Sequence, residues 1–227
     1  MKFVFFVLFA FATCDFHAQD DGVIGAGLFN LTSNSSYTSG SWVRNFEDTT
    51  IEGSVYLFED WDTKGIIINA DGKNLSISGL NYDTKNDAIL AKISNDSVYM
   101  FNNANIKEVI INKKRLKRYR DNRNQTSYMQ VLAMNNNIEI LKKNEKKIKK
   151  GLKDPLTQVK ERDRYLNVYR MYFKKGNTIK EFKLKNKTFS KLFGIHAKEI
   201  SDYMSKMKIS VKDETKLQMV LNYYGTL

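Results

Sequence analysis

The chain contains little of the residue types that supply disulfide bonds, metal ligands or chain breaks. Its 227 residues include one cysteine, one proline and two histidines. A single cysteine excludes an intramolecular disulfide, and two histidines leave little from which a transition-metal site is built. No apolar stretch reaches the roughly 18 residues expected of a membrane-spanning helix. The composition therefore gives no support to a disulfide scaffold, a zinc or copper enzyme, or a helical membrane protein.

The N-terminus carries the pattern of a removable export signal. A positively charged start leads into an apolar run at residues 3–12, which is too short to cross a bilayer and is typical of a signal peptide. We expect residues 1–19 to be this signal, with cleavage after Cys14 as one option and lipidation of Cys14 as an alternative. The protein is then exported, and is periplasmic, associated with the outer membrane or secreted.

The residues that follow are organised as a lead-in and a β-rich body. Residues 20–50 are rich in Ser, Asn, Thr and Gly and are expected to form a flexible lead-in. Short apolar runs then alternate with turn residues, at 55–58, 65–68, 75–77, 89–93, 98–101, 106–111, 128–134, 138–141, 165–173 and 179–184. The turn residues are Asp71 with Gly72, Asn95 with Asp96, Asn136 with Asn137, and Lys175 to Asn177. This pattern predicts an antiparallel β body at 51–185, with a polar loop at 151–163.

The apolar spacing changes near residue 186. Apolar residues now recur three and four positions apart, which is typical of amphipathic helices. Ser210 and Asp213 fit the start of the last helix as a capping box, and Gly225 fits its end. We predict a helical C-terminal segment at 186–227. Its expected buried anchors are Phe189, Phe193, Met204, Leu217 and Leu221. The predicted fold is α+β: an antiparallel β-meander, as a curved sheet or open barrel, covered by C-terminal helices.

Positive charge is concentrated in the middle of the chain. The net charge is +12, and residues 106–191 alone contain 26 basic and 8 acidic side chains. Such a field attracts polyanions. The candidate contact residues are Lys113, Lys114, Arg115, Lys117, Arg118, Arg120, Arg123, Lys142, Lys143, Lys146 and Lys147. The expected partner is an anionic lipid or polysaccharide surface, and nucleic acid is not favoured because an exported chain rarely meets it. The alternative is that these cations only solvate the outer faces of strands.

One segment partly matches a calcium-binding loop. Asp60, Asp62, Gly65 and Asp71 occupy positions 1, 3, 6 and 12 of that template. Lys64 stands where the loop needs an oxygen ligand, and the flanks are predicted strands, not helices. We therefore interpret the segment as polar turns and predict no metal site.

Two further features also fall short of a chemical motif. Within residues 22–30, Gly25 and Gly27 begin a pattern like that of a dinucleotide loop, but Asn30 stands where the third glycine is needed and no βαβ unit follows. His196 has no nucleophile-elbow sequence and is the only histidine left if cleavage lies beyond His17, so we interpret it as a surface or capping histidine. The sequence therefore predicts no catalytic residue and no cofactor.

Two short patterns resemble a recurring group of uncharacterised exported bacterial proteins. The first is the G-x-x-Y-L-F-x-x-W segment from Gly53 to Trp61, and the second is the helix that ends with Tyr223 and Tyr224. The resemblance covers most of residues 50–227 and implies one exported unit. It brings no established activity.

Three classes of function remain open on the sequence. The leading one is a non-enzymatic envelope protein that binds or scaffolds through its basic surface. The second is a carrier with an apolar ligand inside the curved β-sheet. The third is an unrecognised hydrolase, because the distance between two carboxylates is a property of the fold.

Overall fold

The structure is a computed structural model that describes residues 39–44, 50–94 and 97–227. The predicted signal peptide at 1–19, the glycines at 22–30 and the expected turn at Asn95 and Asp96 lie outside the described residues. The described residues form antiparallel and mixed sheets with helices at the C-terminal end, an α+β fold, and the sheet is not closed into a barrel. The predicted fold class is confirmed.

Thirteen strands and three α-helices are formed by the described residues. The strands are β1 (Gly40–Arg44), β2 (Ile51–Glu52), β3 (Lys64–Asn69), β4 (Asn74–Ser78), β5 (Leu80–Asp83), β6 (Ala88–Lys92), β7 (Ser97–Phe101), β8 (Ile106–Ile111), β9 (Lys114–Arg120), β10 (Thr126–Asn135), β11 (Ile138–Lys149), β12 (Asp163–Lys175) and β13 (Thr178–Phe182). The helices are α1 (Asn186–Ser190), α2 (Ala197–Lys206) and α3 (Leu217–Tyr224).

The strands are divided between two sheets. The large sheet has the order β13-β12-β11-β10-β9-β8-β3-β4, with β2 paired in parallel to β12, and the small sheet has the order β1-β7-β6-β5. The remaining pairs are antiparallel, and β8 to β13 form a meander. Gly79 separates β4 from β5 with φ of 68°, a left-handed backbone conformation that lets the chain leave the large sheet for the small one.

Several details of the predicted β body differ from the structure. Residues 55–58 were expected to form a strand, but they make only an isolated bridge between Tyr56 and Asp83. Gly40–Arg44, expected to be part of a flexible lead-in, is instead paired with β7. The predicted turn at Asp71 and Gly72 is not the two-residue type in which both residues have positive φ. Only Gly72 has it (79°), because the turn extends from Asn69 to Lys73.

The hairpin between β8 and β9 was not predicted, but both of its turn residues have the positive φ that is typical of a tight hairpin turn. Asn112 and Lys113 have φ of 48° and 64°, so this two-residue connection matches the twist of the flanking strands. The basic residues that follow therefore form strand β9, which the sequence pattern did not predict.

One face of the large sheet is covered by two different layers. The small sheet covers β3, β8 and β9, and the helices cover β10 to β13. The first core contains Ile67, Leu80, Tyr82, Ile89, Tyr99, Val109, Leu116 and Tyr128. The second contains Ile140, Met171, Phe173, Phe182 and all five predicted helix anchors. The expectation that the C-terminal helices cover the β body is confirmed.

The predicted start of the last helix is displaced. Asp213, not Ser210, is the capping residue, because its carboxylate accepts a hydrogen bond from the backbone N–H of Thr215. A short 3-10 turn, Glu214–Lys216, then leads into α3. The Ser210 hydroxyl accepts from the backbone N–H of Lys212, and the Ser210 carbonyl oxygen accepts from that of Asp213. The helical spacing was therefore predicted correctly and its capping residue was not.

The opposite face of the large sheet is concave. Arg123, after β9, bonds Glu181 on β13 at 3.0 Å, although the two strands are four places apart in the sheet. Neighbouring strands are about 4.8 Å apart, so side chains reach over this span only if the sheet curves around that face. Met129, Leu141 and Tyr172 fill the inside of the curve and are fully buried.

The hairpin of β11 and β12 extends beyond β10 and β13, and β2 pairs with it only at Asp163 and Arg164. Pairing between β10 and β11 ends at Gln130 and Lys142, whereas pairing between β11 and β12 continues to Lys149 and Arg164. We call residues 146–164 the basic arm: the end of β11, the connecting loop and the start of β12.

Candidate functional site

The eleven candidate cations do not form one surface. Side chains alternate between the two faces of a strand. In β9, Leu116 faces the core with the small sheet, so Lys114, Arg118 and Arg120 lie on that side and the residues between them lie on the concave side. The sequence cluster at 113–123 is therefore divided by the sheet that it helps to form.

Six of the eleven are neutralised by acidic partners. The pairs are Arg115 with Glu108 (2.8 Å), Lys117 with Glu108 (3.5 Å), Arg118 with Asp87 (3.7 Å), Arg123 with Glu181 (3.0 Å), Lys142 with Glu214 (2.6 Å), and Lys143 with Glu145 (3.6 Å) and Asp121 (3.9 Å). Lys114 lies over the ring of Phe58. Seven of the eleven therefore have a partner within the fold, and six of these partners are carboxylates or pairs of carboxylates.

A polar network on the concave face is also formed by charged and polar side chains that pair with one another within the fold. Tyr119 donates a hydrogen bond to Glu139, and Lys174 binds the same carboxylate at 2.9 Å. Burial tends to raise the pKa of Glu139, but the hydrogen bonds from Tyr119 and Lys174 outweigh burial and lower it. Burial and the bond to Glu139 raise the pKa of Tyr119. The network holds Glu139 ionised and Tyr119 protonated.

The basic arm differs because most of its cations lack acidic partners. It contains eight cationic and three acidic residues, a net charge of +5. Lys150 and Lys160 share Asp163, at 2.8 and 3.1 Å. For five exposed cations, no carboxylate among the described residues is within ion-pair distance. These are Lys147, Lys149, Lys153, Arg162 and Arg164.

The cations at the base of the arm surround a groove of about 260 Å³. Lys149, Lys150, Arg162 and Arg164 line it together with Glu52, Glu161 and Gly151. Four cations thus face two carboxylates around a concavity. Arg and Lys donors in this arrangement suit phosphate and carboxylate groups, which accept several hydrogen bonds at once.

Asp163 holds the two strands of the arm together. Its carboxylate accepts from Lys150 and from the backbone N–H of Gly151 (3.0 Å), and it contacts Lys160. These three donors, Lys150 first, lower the pKa of Asp163 well below its usual range. The base of the arm is therefore fixed by a carboxylate that remains ionised at neutral pH.

Three apolar side chains are exposed in the loop of the arm. Leu152, Leu156 and Val159 expose 70%, 93% and 67% of their surface. The segment at 151–163 was predicted to be a polar loop, and these exposed apolar side chains were not predicted. The sequence does contain a signal for them: three large apolar residues occur in a turn-rich segment, where no predicted strand or helix would bury them.

The partial calcium template does not form a loop of that kind. Gly65 lies inside β3, paired with Ile111, so the template is interrupted by a strand. No group of three or more His, Cys, Asp or Glu residues in the described part of the chain is arranged to hold a metal ion. His196 precedes α2 without capping it, and its ring contacts Tyr224 edge to face at 5.8 Å.

A groove of about 340 Å³ lies on the outer face of the small sheet. Its lining is mainly apolar, with Asp83, Lys85 and Asn86 at one side. An apolar ligand was expected inside the curved sheet, and this groove lies outside it. Inside the curve, Met129, Leu141 and Tyr172 occupy the space.

Comparison with protein-family models, curated proteins and solved structures finds no match to this chain. Within the described residues, no helix has the length and apolar character needed to cross a membrane.

Proposed function

We propose that this chain is an exported, non-enzymatic binding protein that attaches to an anionic surface of the bacterial envelope through its basic arm. The observation that supports this most directly is the contrast between the arm and the rest of the basic region. Six of the eleven candidate cations form ion pairs within the fold, whereas the arm brings five exposed cations without an ion pair to a described residue together on one hairpin. Unpaired cations on a projecting element are free to exchange water for an external anion.

The arm is strong enough electrostatically to hold the protein on a surface at moderate salt. Each Lys or Arg near an anionic membrane contributes about 1 kcal/mol, so five unpaired cations contribute roughly 5 kcal/mol. At about 1.4 kcal/mol per tenfold, this corresponds to between three and four orders of magnitude in affinity. The contribution falls as ionic strength rises, because exposed charges are screened beyond the Debye length.

The carrier and hydrolase alternatives have less support. A carrier would use space inside the curved sheet, and side chains fill that space. A hydrolase with a general acid needs a carboxyl group of raised pKa. Among the described residues, the carboxyl groups with clearly shifted pKa values are all shifted downward, namely Glu139, Asp154, Asp163 and Asp213.

The experiment that tests the proposal compares two variants of equal net charge. The arm variant replaces Lys147, Lys149, Lys153, Arg162 and Arg164 by Gln. The control variant replaces five other exposed lysines that make no ion pair with a described residue, Lys183, Lys187, Lys198, Lys206 and Lys212, by Gln. Binding is measured to dextran sulfate and to phosphatidylglycerol-containing vesicles, at about 0.05 and 0.5 M salt.

We expect the arm variant to lose most of its binding at low salt and the control variant to keep it. Thermal melting of both variants should match that of the unchanged protein, because the replaced side chains are exposed. Equal losses in the two variants would show that net charge alone, and not the arm, causes binding. Absence of binding by the unchanged protein would overturn the proposal.

A further inference from the structure

We infer that the apex of the basic arm inserts into a lipid bilayer, with Leu156 and Val159 entering the boundary between headgroups and acyl chains. This inference rests on the proposed function and deepens it, because it names the anionic surface as a bilayer and not a polysaccharide. Leu156 and Val159 are called the apex below.

The first observation is the exposure of the apex beside a groove of cations. Leu156, at the far end of the loop, is almost fully exposed. The four cations of the basal groove lie behind it along the arm. A protein that enters an anionic membrane meets the phosphates first and the acyl chains beyond them. The arm has the matching order, with apolar side chains at its tip and cations farther back.

The second observation is that the loop holds a defined shape. The Asp154 carboxylate accepts from the backbone N–H of Leu156 (2.7 Å) and of Thr157 (2.9 Å). The backbone N–H of Asp154 donates to Val159 O, and that of Gln158 donates to Asp154 O, both at 2.9 Å. The apex therefore needs little ordering on binding, and these bonds satisfy several backbone groups in advance.

A bridge between Lys153 and Lys160 closes the loop below the apex. Leu156 is three residues beyond Lys153, a span of at most about 10 Å even for an extended chain, and residues 155–157 form a turn. The headgroup layer of one leaflet is roughly 5 to 8 Å thick. When Leu156 reaches the acyl chains, Lys153 and Lys160 are thus at the level of the lipid phosphates.

Charge favours a bilayer over a second copy of the chain as the partner that covers the apex. Two arms that met apex to apex would each bring a net charge of +5 to the contact, and like charges would repel. A polysaccharide or a nucleic acid would bind the cations but would leave Leu156 and Val159 in water. A bilayer with anionic lipid engages both.

The test separates apolar insertion from charge attraction. The apex variant carries Leu156→Ser and Val159→Ser, and the control variant carries Ile195→Ser and Met207→Ser, two other exposed apolar residues. Each full-length protein is measured for binding to phosphatidylglycerol–phosphatidylcholine vesicles and to dextran sulfate. Sedimentation without lipid reports the oligomeric state.

We expect the apex variant to bind vesicles about tenfold or more weakly than the control variant, with dextran sulfate binding unchanged. In a Leu156→Trp variant, bromine atoms on the acyl chains should quench the additional tryptophan emission.

Three results would overturn the inference. One is vesicle binding by the apex variant equal to that of the unchanged protein. If the arm variant still binds weakly in that case, the proposed function survives. Another is the absence of quenching by brominated acyl chains. The third is a dimer without lipid that the apex variant abolishes, which would identify a second copy as the partner. If the unchanged protein binds neither vesicles nor dextran sulfate, the proposed function fails as well.

Discussion

Phe193 joins the helical layer to the large sheet, and its replacement by Ala should be among the most destabilising single changes in the chain. The side chain is 2% exposed. Its ring contacts those of Phe173 on β12 (5.2 Å), Phe189 on α1 (5.3 Å) and Tyr224 on α3 (5.1 Å). One residue therefore connects a strand with two helices.

The size of the effect follows from burial and from these ring contacts. Phe→Ala at a buried site costs about 3 to 5 kcal/mol, including the cavity that remains. The three aromatic contacts favour the upper half of this range, since such pairs contribute roughly 0.5 to 1.5 kcal/mol beyond their buried area. We therefore expect a loss of about 4 kcal/mol in the free energy of unfolding. For a domain of this size the melting temperature should fall by roughly 8 to 16 °C.

Urea unfolding followed by circular dichroism measures this loss. The matched control is Ile195→Ala, two residues away and 90% exposed, which should change the free energy of unfolding by less than about 0.5 kcal/mol. A loss below about 1 kcal/mol for Phe193→Ala would refute the view that the helices share a packed core with the sheet. In that case the helical segment would be attached to the sheet only loosely.

Two other predictions concern the concave face and a turn. Because the folded-state pKa of Glu139 is lowered, its contribution to stability is present above its unfolded pKa and is lost as the pH falls through the folded value. Glu139→Gln should therefore lower the urea midpoint more at about pH 7 than at about pH 3, and an equal effect at both values would contradict this linkage. Lys113→Gly should stabilise the protein by up to about 1 kcal/mol in thermal melting, because Lys113 has φ of 64°. Lys114→Gly, at the start of β9, should destabilise it, and stabilisation by both would show that φ is not the cause.

The structure changes the interpretation of the basic region. Sequence proximity grouped the cations of 113–123 into one candidate surface. Once β9 forms, consecutive side chains point to opposite faces, and Glu108 and Glu181 reach them from other strands. No local pattern predicts such partners, because they are distant in the sequence.

The basic arm shows the opposite case. Its lysines were visible as a charged run, and its loop was recognised from Pro155 and its polar neighbours. What the sequence left open is that this hairpin extends past β10, with Leu156 at its end. The distance by which a hairpin projects depends on the lengths of the neighbouring strands, which are set by pairing across the whole sheet.

The sequence by itself determined the class of the fold, the antiparallel hairpins and the apolar stripes of the C-terminal helices. These features depend on interactions between residues close in the chain: alternation with period two, turn residues that accept positive φ, and apolar spacing of three and four. Only the tertiary structure decided the division into two sheets, the pairing of most candidate cations and the exposure of the arm. Those features depend on contacts between segments that are distant in the sequence. Such contacts form only when the sheets curve and pack, so no local sequence pattern predicts them.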